Sequence, residues 1–74
     1  MELDKPQYKH YGHSELQNII IHLLATERCI HKTDLKKKLE AHPISLHKAV
    51  KNLERKKLVK ILKLDGKTIV CLNI

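Results

Sequence analysis

Residues 43–72 read PISLHKAVKNLERKKLVKILKLDGKTIVCL, and their hydrophobic period changes partway along. Up to Leu58 the apolar residues keep helical spacing. Leu46, Val50 and Leu53 stand at i, i+4 and i+7 with Ala49 beside them, which predicts a helix with one buried face. That helix begins either with Pro43 in the first helical position, where its fixed φ is suited, or with Ser45 as an N-cap whose hydroxyl satisfies a free N–H. Beyond Leu58 the period falls to about two. The runs Val59 to Leu64 and Lys67 to Leu72 are rich in β-branched residues and are separated by Asp65-Gly66. A two-residue type I′ turn needs positive φ at both central positions, and Asp-Gly tolerates it, so a β-hairpin is predicted.

Toward the N-terminus, His42-Pro43 ends a preceding helix near Ala41, because proline disfavours helical backbone in the residue before it. This second helix starts between His31 and Asp34 and turns Leu35 and Leu39 inward, with Lys36, Lys37 and Lys38 outside. Two helices joined by so short a link form a helix-turn-helix. Cys29 and Ile30 sit in a β-compatible link that can close a three-stranded sheet with the hairpin. Farther upstream, Ser14 and Gln17 have capping-box spacing, and Leu16, Ile19, Ile20, Leu23 and Leu24 form the stripe of a first helix reaching about Thr26. Ile21 falls off that stripe. Residues 1–12, with Pro6 and Gly12 and no apolar period, are expected to be a flexible or partner-ordered arm, and 13–74 the domain. The expected class is α+β, a three-helix bundle with a small antiparallel hairpin, in the order α-β-α-α-β-β.

The segment from Leu35 to Ile74 resembles the winged-helix superfamily of DNA-binding domains. The residues that carry the likeness are Leu35, Leu39, Leu46, Val50 and Leu53, then Glu54, Leu58 and Val59. The string from Asn52 to Lys60, NLERKKLVK, looks like the end of the recognition helix in many bacterial and archaeal transcription regulators. It is also similar to the winged-helix repeats of the RNA polymerase III peripheral subunit. The chain departs from that pattern with Lys57 where glycine is common, and with a short wing. The resemblance implies a third helix lying in the major groove of double-stranded DNA and a hairpin wing against the backbone.

Charge agrees with a polyanionic partner. The formal net charge is +7. Between Lys32 and Lys67 twelve Lys/Arg face four acids, whereas the rest of the chain holds three against four. Such asymmetry favours nucleic acid through counterion release and steering; a lysine-rich surface serving only solubility is the plainer alternative. On the outer side of the third helix fall Ser45, His47 and Lys48, best placed for base edges, and Lys51, Asn52 and Arg55, placed for bases or backbone. Lys63, Lys67 and Thr68 on the wing, with Lys36 and Lys37 on the second helix, are expected to hold phosphates.

The hairpin register sorts its side chains onto two faces. With a two-residue turn, Leu62 faces Ile69 and Ile61 faces Val70, and adjacent pairs point to opposite faces. If Val59, Ile61, Val70 and Leu72 meet the core, then Leu62, Leu64, Ile69 and Cys71 lie outside. Exposed apolar patches mark interfaces. A homodimer, or docking on a transcription complex, is therefore expected through Leu62, Leu64 and Ile69, with Ile21 contributing. The alternative is that the arm folds over the patch through Tyr8 or Tyr11.

Other classes find little support. Six histidines and two cysteines invite zinc, but no pair repeats at finger spacing, so no metal or other cofactor is expected. Cys29 and Cys71 approach each other if the first β element pairs with the last strand; two separately packed thiols are expected in preference to a disulfide. The acids are scattered, and Gly12 and Gly66 make no phosphate loop, so neither an enzyme nor a small-molecule substrate is expected. Without Trp or Phe there is no stacking platform for single-stranded RNA. No apolar run is long enough for a membrane span. The polar stretch from Met1 to Gly12 lacks a signal-peptide core, so an intracellular location is expected, in cytoplasm or nucleoid, or in a nucleus. The reading is a DNA-binding transcriptional regulator; the alternative is a protein-interaction winged helix of a transcription assembly.

Overall fold

The computed structural model describes residues 8–73, so the first seven residues of the expected arm lie outside the described residues. The elements are α1 (His13–Glu27), β1 (Cys29–His31), α2 (Lys32–Leu39), α3 (Pro43–Arg55), β2 (Val59–Leu64) and β3 (Lys67–Leu72). Their order is the expected α-β-α-α-β-β. The sheet runs β1-β3-β2 with both pairings antiparallel.

Helix ends show where local chemistry departs from the motif reading. The first helix starts one residue before Ser14. Gly12 is its N-cap, and the Glu15 carboxylate accepts from the Gly12 N–H at 3.3 Å. The pair at capping-box spacing is thus Gly12 and Glu15 rather than Ser14 and Gln17, because a carboxylate at the third helical position also favours the positive end of the helix. The second helix stops at Leu39, slightly before the expected end, because Glu40 turns left-handed at φ 52°. Of the two starts open for α3, the structure takes Pro43 in the first helical position. His42 is the N-cap, and its Nδ1 accepts from the Ile44 N–H at 3.1 Å.

The hairpin follows the Asp-Gly reading. Asp65 has φ 50° and Gly66 φ 76°, both positive as a type I′ turn demands. Leu62 pairs with Ile69 and Ile61 with Val70. Val59 and Val70 are buried, and Ile61 and Leu72 pack partly buried against the core. Below that face lie Leu16, Ile20 and Leu24 of α1, Leu35 and Leu39 of α2, and Leu46, Ala49, Val50 and Leu53 of α3. Each fully buried Leu or Ile among them contributes about 1.5–3 kcal/mol, which makes this shared core the element that fixes α3 relative to the hairpin.

The cysteines correct an expectation. Cys29 and Cys71 form a disulfide across β1 and β3 instead of packing as separate thiols. The Leu72 N–H donates to Arg28 O at 2.8 Å, so Arg28 and Leu72 form a hydrogen-bonded pair and Cys29 and Cys71 the next, non-hydrogen-bonded one. Antiparallel strands bring side chains closest at such positions, and here the Cα atoms are 4.0 Å apart.

The described part of the arm docks on the helix-turn-helix. The Tyr11 hydroxyl donates to Leu39 O at 2.7 Å, the Lys9 N–H to Glu40 O at 2.9 Å, and the Tyr8 ring meets the His42 ring edge-on at 4.9 Å. These bonds satisfy carbonyls that the end of α2 leaves free. They set both tyrosines at the turn between α2 and α3, away from Leu62 and Leu64.

Candidate nucleic-acid interface

With Leu46, Ala49, Val50 and Leu53 turned inward, the arithmetic of 3.6 residues per turn puts Ile44, Lys48, Lys51 and Arg55 on the opposite ridge of α3. All four are exposed. Ser45, exposed, and Asn52, half-buried, flank one side of the ridge; His47, exposed, and Glu54, half-buried, flank the side toward the hairpin. Among the described residues of α3, Glu54 is the only acid. It lies 3.5 Å from Lys51 in an exposed pair, of a kind worth only about 0–1 kcal/mol. The first turn holds no acid at all, although the helix dipole would favour one there.

Two adjoining clefts open between this helix and the wing. One, of about 430 Å³, is lined by Lys32, His47, Lys51, Glu54, Lys63 and Thr68 among others. The second, of about 710 Å³, has Lys32, Asp34 and Lys36 on α2 facing Gly66, Lys67 and Thr68 at the hairpin tip. The structure therefore brings His47, Lys51, Lys63 and Thr68 together, and sets Lys36 and Lys67 around the neighbouring opening. Lys48 and Arg55 remain on the open ridge. Lys37 is exposed on α2 but lines neither cleft.

Sequence reasoning missed two residues here. Lys32, half-buried at the start of α2, lines both clefts, and its Nζ donates to His47 Nδ1 at 3.1 Å. Its partner is 15 residues away, so nothing local in the sequence singles it out. Ile44 is 60% exposed at the head of the cationic ridge; its spacing of four from Lys48 was the available signal. Lys56 is turned elsewhere, donating to Gln17 Oε1 of α1 at 3.1 Å.

On the far side of the sheet, Leu62 and Leu64 are 45% and 58% exposed, with Ile69 half-buried beside them. Ile21 is half-buried against the core on α1 and does not join this face. Cys71, bonded to the exposed Cys29, is buried rather than open on this face.

This arrangement is a winged helix: a helix-turn-helix with a β-hairpin beside its second helix. No family model and no curated protein matches the chain. Among solved structures it is similar to one described as the transcriptional regulator homologue protein from Pyrococcus horikoshii OT3, with a TM-score of 0.74 and 27% sequence identity. The match covers 77% of this chain and 60% of that one, so this chain spans less than two thirds of the archaeal protein's length. Among the described residues, no helix is long and apolar enough to cross a membrane, and no group of three or more His, Cys, Asp or Glu is placed to hold a metal ion.

Proposed function

We propose that this domain binds double-stranded DNA as part of a transcriptional regulator, with α3 in the major groove. The observation that carries the reading is the outer ridge of α3, where Lys48, Lys51 and Arg55 are exposed and the sole acid is a flanking residue. A helix of this diameter fits the major groove, and its first turns reach deepest. Ser45, His47 and Lys48 then meet base edges, while Lys51, Asn52 and Arg55 span bases and backbone. Lys63, Lys67 and Thr68 of the wing, with Lys36 and Lys37 of α2, hold phosphates on either side, contacts that orient without selecting sequence. The likeness to a transcriptional regulator homologue supports the same reading.

The outer face of the sheet completes the proposal. Leu62, Leu64 and Ile69 pair with a second copy of this chain, so that two recognition helices reach two half-sites. The exposure of Leu62 and Leu64 supports this. The same face docking on a transcription complex is the second reading.

Replacing Lys48 and Arg55 together by alanine tests the main claim, since neither belongs to the core. Titration of a random-sequence 30-base-pair duplex should show affinity lowered at least about 100-fold, because each charged hydrogen bond to DNA contributes roughly 1.5–3 kcal/mol. Unchanged affinity would remove this face from the account.

A further inference from the structure

The ridge of α3 carries one side chain that charge does not explain. Ile44 is 60% exposed, one of four large hydrophobic residues left so open among the described residues. Leu62 and Leu64 lie together on the outer sheet and Leu58 follows α3. Ile44 is the apolar member of a ridge otherwise made of Lys48, Lys51 and Arg55, four residues before Lys48 and seven before Lys51. A single exposed apolar residue is ordinary on a protein surface, so exposure by itself points to nothing. Its position does: it shares one helix face with Lys48, Lys51 and Arg55, and that face is the one whose charge suits DNA. It also occupies a turn where local helix physics favours an acid, and an acid there would repel phosphates.

Within the major groove, thymine alone among the four bases presents a methyl group. An isoleucine on a groove-facing ridge meets that methyl as an apolar partner, while the flanking cations hold the strands. We infer that Ile44 is a specificity-determining residue, reading the C5-methyl of a thymine in the major groove. The inference rests on the duplex-binding proposal and deepens it by naming the base feature read.

The test isolates one methyl group. Duplexes are selected from a random 20-base-pair pool with the unaltered protein, and each thymine of the enriched sequence is replaced singly by deoxyuridine, which lacks the methyl and keeps the pairing edge. At one thymine per half-site the unaltered protein should lose about four-fold in affinity, the effect of one methyl withdrawn from an apolar contact. Ile44→Ala should lose a similar factor on the thymine duplex and be indifferent to deoxyuridine at that position. A thermal melt matching that of the unaltered protein shows that the variant folds. Equal losses for Ile44→Ala on both duplexes, insensitivity of the unaltered protein to every deoxyuridine, or an enriched sequence without a fixed A·T pair would each overturn the inference and leave duplex binding standing. Failure to retain any duplex from the pool would overturn both.

Discussion

Two surfaces of this small domain face water with opposite chemistry. On the ridge of α3, Lys48, Lys51 and Arg55 are exposed with Ile44 at their head; on the outer face of the sheet, the Leu62–Ile69 pair lies between Leu64 and the Cys29–Cys71 bridge, with Lys60 opposite Cys71. Cations on an exposed ridge are hydrated and cost little while they wait for a polyanion. The sheet face is different, since each square ångström of apolar surface left in water forgoes about 25 cal/mol. One surface thus offers exposed positive charge and the other exposed apolar area. Added salt should drive the two apart, weakening contacts to phosphate and leaving apolar contacts as strong or stronger.

The largest effect that would sharpen this contrast is in the sheet. The bridge joins residues 42 apart, and by the loop-entropy account such a crosslink contributes about 4 kcal/mol. Replacing both cysteines by serine should lower stability in urea by roughly that amount. Equal urea midpoints for the two proteins would mean that the sheet face does not depend on the bridge. A smaller effect concerns Leu62. Leu62→Glu should weaken self-association at least ten-fold in sedimentation equilibrium, as a charge placed in an apolar contact does, with DNA affinity per domain unchanged. Equal loss of both activities would mean that the two surfaces are not separate, and a protein that is monomeric without the substitution would remove the dimer.

Much of this was legible in the residues. The stripe Leu46, Ala49, Val50 and Leu53, the shift of period after Leu58, and Asp65-Gly66 each encode local structure directly, so α3 and the hairpin pairing follow from spacing alone. The features that escaped depend on distant partners or on unusual backbone. The approach of Cys29 and Cys71 was conditional on β1 pairing with β3, and their bonding rather than packing as separate thiols depends on a register that spacing in sequence does not encode. Lys32 and His47 come together only once α2 and α3 have packed. Lys57, where the resemblance favours glycine, has φ 65°, a left-handed conformation in which glycine carries no Cβ penalty. Ile44 escaped because stripe arithmetic sought apolar residues only on the buried side.

Whether α3 and the wing bind duplex DNA through its phosphates is read from the salt dependence of affinity. If α3, α2 and the wing together neutralise about five phosphates, the logarithm of affinity should fall against the logarithm of salt concentration with a slope near −4 to −5. The Lys48→Ala/Arg55→Ala protein should give a slope shallower by about one, for the phosphate that Arg55 neutralises. A slope near zero for the unaltered protein would contradict the account.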